Sequence, residues 1–227
     1  MKKILTYSYL FALSLFVSCG SAENKKTEES NTTLAAANFK SVLVRHPVAD
    51  FAAWKIVHDA NDSIRQVYGI TPHAIGRSME ESNQVIIFNK FTDVQKANEF
   101  VALPALKEIM QKAGVTGEPL FDFIDVIRND ESKTEIKDRF LIKHRVKDFD
   151  AWLKVFDAEG MKSRSDNGVI DRGMGRGSED PNMVYLVFAI SDMAKAKARV
   201  GSEELKEVMM KAGVEGPPEI VFYTLVD

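Results

Sequence analysis

Two segments of this sequence each occur twice. Residues 46–54, HPVADFAAW, return as residues 144–152, HRVKDFDAW, and residues 106–115, LKEIMQKAGV, return as residues 205–214, LKEVMMKAGV. The two pairs stay in register apart from one extra residue between them in the second copy. The spacing of about 100 residues exceeds the roughly 20–50 residues of solenoid repeats. The sequence therefore predicts two small domains of about 90 residues each, a size that supports a single core.

Composition and charge are those of an ordinary globular protein. Of the 227 residues, 45% are hydrophobic and 28% are charged, and the net charge is −3. Neither copy contains a cluster of basic residues with interleaved aromatic residues, which is the usual sign of a nucleic-acid interface. We therefore expect no nucleic-acid partner.

The N-terminal segment has the pattern of a secretory signal. Lys2 and Lys3 precede an apolar run over residues 4–17, which is too short to span a bilayer. The run ends in FVSCG, which resembles the lipobox of bacterial lipoproteins, and Cys19 is the only cysteine of the chain. We predict a lipoprotein signal peptide over residues 1–18 and lipidation of Cys19, so that the protein is anchored to a membrane of the bacterial cell envelope on its extracytoplasmic side. The alternative is an ordinary cleaved signal.

The following residues lack the apolar content that a packed core requires. Residues 19–39 are rich in Glu, Lys, Asn, Ser and Thr, which predicts a disordered tether. Residues 40–128 and 139–227 are the two repeats, and the charged residues 129–138 form the linker between them. A single chain with this organisation predicts a monomer that contains an internal pseudo-dimer.

Each repeat reads as β-α-β-β-α-β. In the first, a β-branched run ends at His46, Asp50 stands at a helix N-cap position, and apolar residues recur at helical spacing from Phe51 to about Tyr68. A hairpin, a second helix, a short helix and a last strand follow, and the second repeat has the same order. This is the ferredoxin-like unit, with an antiparallel sheet covered by helices on one face only. The strands carry apolar residues on both faces, so we predict an α+β protein in which the two sheets face each other as an intramolecular α/β barrel.

These motifs resemble the dimeric α/β-barrel superfamily, and within it the domains similar to antibiotic-biosynthesis monooxygenases. The motif His-x-Val-x-Asp-Phe-x-x-Trp at His46 and His144 and the Lys-Ala-Gly-Val segments at residues 112–115 and 211–214 carry the resemblance. It covers nearly all of residues 40–227. The resemblance implies the barrel fold, whereas the superfamily includes oxygenases, haem enzymes, isomerases and regulatory domains, so that it implies no single reaction.

The duplicated residues are the first candidates for a site. His46 and His144 close the first strand of each repeat, where each is either a catalytic base or a buried histidine hydrogen-bonded near the helix start, for instance to Asp50 or Asp148. Trp54 and Trp152 lie one turn into the first helix and either line a ligand pocket or pack against the barrel wall. Duplication in both copies favours a structural role for the histidines.

Further candidates lie in the second strand of each repeat. Gly76-Arg77 and Gly175-Arg176 recur there. A glycine within a strand indicates a bulge or a close approach, and the neighbouring arginine could bind a carboxylate. His73 is a candidate because Arg172 stands at the corresponding position of the second repeat. If only one of the two copies has a working site, its residues are expected to differ between the copies.

No cofactor and no metal site is predicted, because the sequence has no metal-ligand spacing, no phosphate-binding loop and no nucleophile elbow. We expect the protein to bind a small apolar or aromatic ligand in the barrel between the repeats. The alternatives are a cofactor-independent, monooxygenase-like enzyme for an aromatic or quinone-like substrate, and a structural or partner-binding lipoprotein with a packed barrel. A cavity of a few hundred Å³ between the sheets would distinguish them.

Overall fold

The computed structural model describes residues 33–226, which form eight strands and seven helices. Two helices of the first half are capped by aspartates. Asp50 accepts a hydrogen bond of 2.7 Å from the Ala53 amide, and Asp93 accepts one of 2.8 Å from the Gln95 amide. The elements of the first half are β1 (Ala36–Pro47), α1 (Phe51–Ala60), α2 (Asp62–Val67), β2 (Ile70–Ser78), β3 (Gln84–Phe91), α3 (Val94–Val101), α4 (Pro104–Lys112) and β4 (Leu120–Asn129).

The second half has the same order of strands, with one long helix in place of the first two helices of the first half. Asp148 and Asp192 cap its helices in the same way, through the amides of Ala151 and Lys195. The α+β class predicted from the sequence is confirmed, with an antiparallel sheet throughout. The elements are β5 (Asp138–Val146), α5 (Phe149–Asp166), β6 (Val169–Gly177), β7 (Met183–Ile190), α6 (Met193–Val200), α7 (Glu203–Lys211) and β8 (Val214–Val226).

The one-residue difference between the halves lies in the first long helix of each. The expected continuous helix from Phe51 to Tyr68 is instead broken at Asn61, which separates α1 from α2. In the second half, Gly160 interrupts α5 with a φ of 77°, a conformation that glycine adopts at little cost. The extra residue of the second copy is therefore accommodated at a helix kink, and the strands on either side keep their register.

The strands form one closed barrel. Around it the order is β1-β3-β2-β8-β5-β7-β6-β4, and β4 pairs again with β1. Strands from the two halves meet at two seams, where Arg77 is paired with Thr224 between β2 and β8 and Val126 with Gly175 between β4 and β6. Closure leaves no free sheet edge.

Three hydrophobic cores follow from the alternation of side chains along the strands. Each half has one core between its helices and the outer face of the barrel, around Trp54 in the first half and Trp152 in the second. The third core lies inside the barrel and consists of Leu43, Ile86, Ile124, Leu141, Tyr185 and Tyr223. Burying one such side chain contributes about 1.5–3 kcal/mol, so the barrel interior is a substantial part of the fold's stability.

A charged layer closes one end of the barrel interior. Asp122 lies 3.1 Å from Arg45 and 2.6 Å from Lys143, and it accepts a hydrogen bond of 3.0 Å from the Tyr185 hydroxyl. Arg45 also pairs with Glu219. Because Arg45 and Lys143 occupy corresponding positions of the two copies, this layer contains residues from both halves. Its ion pairs occupy this end of the barrel interior.

Position 76 requires a glycine because an aromatic ring lies against its backbone inside the barrel. A Cβ atom at this position would lie 2.3 Å from Cδ2 of Tyr223, so the tyrosine ring packs directly on the glycine backbone. The sequence indicated a bulge or a close approach by backbone or ligand at this glycine, whereas the group that approaches it is the aromatic ring of Tyr223 from the other half.

The first strand begins earlier than the sequence indicated. β1 includes Ala36–Phe39, which were predicted to belong to the tether. The predicted signal peptide and Cys19 lie outside the described residues. Within residues 33–226, no helix has the length and apolarity to cross a membrane.

Candidate functional site

The two duplicated histidines lie at the ends of β1 and β5, on the face of the barrel that the helices cover. His46 is 2% exposed and meets the edge of Trp54, with 5.7 Å between ring centroids. His144 is 5% exposed and meets Trp152 in the same way at 5.6 Å. The motif shared by the two copies thus builds the same histidine–tryptophan pair twice.

Neither histidine has the hydrogen bond to aspartate that the sequence suggested. Asp50 and Asp148 cap their helices instead, each accepting from a backbone amide at 2.7 Å. Both ring nitrogens of His144 and Nδ1 of His46 are buried without a hydrogen-bond partner among the described residues. Burial lowers the pKa of each imidazole from 6.5 to about 4, so both rings are neutral at pH 7.

His144 faces a cavity of about 90 Å³ between β-sheet and helices of the second half, here called the His144 pocket. Its wall is mainly apolar and includes Phe140, Ile142, Trp152, Phe156, Leu186 and Val200. Arg164, which also lines it, is held by Asp171 through two hydrogen bonds of 2.7 Å and lies over the Phe156 ring at 4.0 Å. The charges at this pocket are thus neutralised within the protein.

The first half has a corresponding cavity of about 60 Å³, the His46 pocket. His58 takes the place of Phe156 there, stacks near Trp54 at 4.7 Å and lies 3.1 Å from Asp59 through Nδ1. Burial lowers the pKa of His58. Both pockets are smaller than the few hundred Å³ of sites for drug-sized ligands, so the residues as placed do not fit a group as large as haem.

A further cavity opens into the barrel interior at the end opposite the charged layer. This barrel-end cavity has a volume of about 430 Å³. Its apolar wall includes Phe39, Phe88, Ile124, Val126, Val187 and Leu225, and its polar residues include His73, Lys90, Arg139, Arg172 and Tyr223. A cavity of this size between the sheets is the observation that we expected to favour ligand binding over a packed barrel.

Two β-bulges aim side chains at this cavity. The pairing of β2 with β3 shifts between Pro72 and Ala74, and that of β6 with β7 shifts between Asp171 and Gly173. The residues at the two bulges are His73 and Arg172, which occupy corresponding positions and both line the barrel-end cavity. Of the residues that the sequence singled out, His73 and Gly175 line this cavity.

Arg77 and Arg176 have other contacts. Arg77 Nε donates to the Ser82 carbonyl at 2.9 Å, and its guanidinium lies 4.5 Å from the centre of the Phe51 ring. Arg176 donates to the Pro181 carbonyl at 2.7 Å and lies 4.0 Å from the Phe149 ring. Each arginine joins its hairpin to the start of a helix, and neither lines the three cavities described above.

Arg139 and Tyr223 are site residues that sequence reasoning missed. Arg139 is 5% exposed, although it is a charged residue at the start of a strand. Ser41 stands at the corresponding position of the first copy, where its hydroxyl donates to the Asn89 carbonyl. Comparing the two copies position by position would have revealed this asymmetry between Ser41 and Arg139.

Residues 33–226 contain no group of three or more His, Cys, Asp or Glu side chains arranged to hold a metal ion. The chemistry available at the three cavities is therefore that of neutral imidazoles, aromatic rings and the cations of the barrel-end cavity. These groups can bind an organic molecule and, at His144, accept a proton.

Comparison with known proteins gives structural likeness without sequence likeness. No protein-family model matches the sequence, and no curated protein matches it. Among solved structures, an anthrone oxidase-like protein aligns with a TM-score of 0.57 at 13% identity, covering 86% of this chain and 94% of the other. A protein from Lactobacillus acidophilus proposed to be a monooxygenase aligns with a TM-score of 0.54 at 16% identity, covering 83% and 94%.

A third structure, described as a heme-binding protein from Thermus thermophilus, aligns with a TM-score of 0.51 at 13% identity, covering 86% of this chain and 94% of the other. At such low identity these similarities concern the fold and leave the reaction open. This chain shares the fold of these proteins, which here is an α+β fold with an eight-stranded antiparallel sheet.

Proposed function

We propose that this protein binds a small, largely apolar molecule in the barrel-end cavity. The observation that supports this most directly is the volume of about 430 Å³ with an apolar wall and a few convergent polar side chains. Ligand sites typically occupy about 300–1,000 Å³ and combine an apolar lining with a small number of polar groups. The rest of the barrel interior is filled by the third core and the charged layer, so the space is confined to one end.

A cavity-filling substitution tests this proposal. Gly173 lines the cavity, and a Cβ atom at this position would lie 3.6 Å from its nearest neighbour and beside Val187, which lines the cavity too. We therefore expect Gly173→Phe to fill the cavity while the barrel still folds. Small molecules that co-purify with residues 33–227 are identified by mass spectrometry and titrated back by calorimetry. We expect Gly173→Phe to lose at least 10-fold in affinity.

The matched control is Gly201→Phe, the same change at the exposed end of α6. It should keep the affinity of the wild type. If neither the co-purified molecules nor a panel of naphthalene derivatives and medium-chain lipids binds, or if Gly173→Phe binds them as the wild type does, the proposal of a barrel ligand is wrong.

An oxygenase-like reaction in the His144 pocket is the second candidate function. It is favoured by the unpartnered ring nitrogens of His144 above an apolar cavity and by the likeness to the anthrone oxidase-like protein. His144 is the group that would accept a proton from an aromatic substrate, because its imidazole is neutral and neither ring nitrogen has a hydrogen-bond partner among the described residues. The test is oxygen uptake by the protein in the presence of anthrone. If the wild type consumes oxygen and His144→Gln does not, while the two proteins have the same melting temperature, the oxygenase-like reaction becomes the preferred function.

We also propose that residues 40–128 and 139–227 are tandem ferredoxin-like repeats, and that the barrel is the intramolecular counterpart of a two-fold dimer. The same order of strands in the two halves and the two seams between them support this. Alone, residues 40–130 would leave one sheet face open to water. We expect that fragment to dimerise or aggregate in sedimentation analysis, whereas a folded monomer would argue against tandem repeats.

Anchoring of the chain through Cys19 completes the proposal, which places the barrel on the extracytoplasmic side of a membrane in the bacterial cell envelope. The sequence of residues 1–20 is its support. In the full-length protein we expect Cys19→Ser to leave the membrane fraction, because lipid at this residue is the proposed anchor. Membranes are washed at high salt and probed by immunoblot. Retention of the Cys19→Ser protein after that wash would contradict the anchor.

A further inference from the structure

One of the three cations at the barrel-end cavity forms no ion pair with a carboxylate of residues 33–226. Lys90 Nζ lies 2.5 Å from Glu131, and Arg172 Nη1 lies 2.5 Å from Asp130. Among residues 33–226, no carboxylate lies within ion-pair distance of the third cation, Arg139, which is buried. A buried charge without a partner is costly to the fold, so its presence at a cavity indicates a role in binding.

The hydrogen bonds of Arg139 leave one edge of its guanidinium available. Nη1 donates to the carbonyls of Ile136 at 2.5 Å and Asp138 at 2.9 Å. The Asp138 carboxylate accepts a hydrogen bond from Thr224. Nε and Nη2 of Arg139 make no hydrogen bond to the described residues, and these two N–H groups form the fork that pairs with both oxygens of a carboxylate.

Tyr223 supplies a second donor beside this arginine. Its side chain is 1% exposed, lines the cavity and makes no hydrogen bond through its hydroxyl to residues 33–226. Burial raises the pKa of this hydroxyl, partly offset by the charge of Arg139, so the group remains a neutral O–H donor at pH 7. A buried tyrosine hydroxyl normally finds a hydrogen-bond partner, and a ligand oxygen would provide one.

The remaining wall determines the other part of the ligand. Phe88, Val126, Val187 and Leu225 line the cavity and contact the third core. They offer aliphatic and aromatic surface with no further unpaired charge. A molecule that fits both parts has one anionic group and an apolar body.

We infer that the barrel-end cavity binds an organic monocarboxylate, with Arg139 and Tyr223 holding the carboxylate and the apolar wall holding the body. The inference rests on the proposed function, because it names the class of molecule for the same cavity. A single unbalanced positive charge matches a carboxylate, which carries one negative charge, better than a phosphate monoester, which carries about −1.5 to −2 at pH 7.

Matched pairs of probes test the inference at pH 7. Calorimetry compares decanoate with decanol, and 2-naphthoate with 2-naphthalenemethanol, on the protein of residues 33–227. We expect each carboxylate to bind at least 10-fold more tightly than its alcohol. Arg139→Gln should remove that preference, and Tyr223→Phe should weaken carboxylate binding by about 5-fold, the effect of one hydroxyl hydrogen bond. Arg77→Gln, an arginine outside the cavity, is the control and should bind as the wild type does.

The outcomes separate this inference from the proposed function. Binding of alcohols and carboxylates with equal affinity, unchanged by Arg139→Gln, would overturn the carboxylate assignment and leave the barrel ligand in place. Absence of all binding would overturn both. If Arg139→Gln does not fold, Arg139→Lys keeps the charge and loses the fork, and it should retain part of the preference for carboxylates. If octyl phosphate is preferred over decanol as strongly as decanoate is, the site selects anions in general, and this outcome also contradicts the assignment.

Discussion

Replacing Asp171 with Asn is expected to lower the free energy of unfolding by about 3–5 kcal/mol, because it leaves the guanidinium of Arg164 as an unbalanced buried charge. The two side chains are only 5% and 7% exposed and are joined by two hydrogen bonds of 2.7 Å. Glu159 also lies 3.3 Å from Arg164, but it is shared with Arg199 at 2.9 Å. Urea denaturation of both proteins at pH 7 measures the difference.

The same chemical change at the surface is the control for this experiment. Glu207 pairs with Lys211 at 3.6 Å, and both side chains are exposed, so Glu207→Gln should alter stability by less than about 1 kcal/mol. The double variant Arg164→Met, Asp171→Leu removes both charges and should recover most of the stability that Asp171→Asn loses. Equal stability of Asp171→Asn and Glu207→Gln would show that the buried pair does not act as the geometry indicates.

Much of the fold could be predicted because local signals agreed with the repeat. Asp50 and Asp148 stand immediately before an apolar helix in both copies, and both are caps in the structure. The element order followed from the periodicity of apolar residues and from turn residues, and each element could be predicted independently in both copies. The kink at Asn61 was missed, because apolar residues continue at helical spacing through it.

The candidate site was less predictable, because it depends on contacts between the two halves. His73 and Arg172 reach the barrel-end cavity through bulges, which shift the alternation of side chains and leave little trace in the sequence. Arg139 reads as a solvent-facing charge at the start of a strand, whereas barrel closure buries it. The expected hydrogen bond from histidine to aspartate was wrong because helix capping occupies the same aspartates.

The duplicated histidines should make the protein unusually sensitive to acid. The pKa of His46 and of His144 is about 4 in the folded state, against an ordinary value of 6.5, because both rings are buried. Between these values the unfolded chain binds more protons than the folded one, so stability is complete above pH 6.5 and falls as the pH drops toward 4. At pH 4.5 the loss is about 2.5 kcal/mol for each histidine, or about 5 kcal/mol for both.

Urea denaturation of the wild type and of the double variant His46→Gln, His144→Gln at pH 7 and at pH 4.5 measures this effect. Carboxylates contribute to acid sensitivity in both proteins, so the informative quantity is the difference between their pH dependences. Glutamine does not titrate, and the double variant should therefore lose about 5 kcal/mol less than the wild type between the two pH values. Parallel stability curves for the wild type and the double variant would mean that these imidazoles are protonated in the folded barrel as readily as in water, and would contradict the effect of their burial on the pKa.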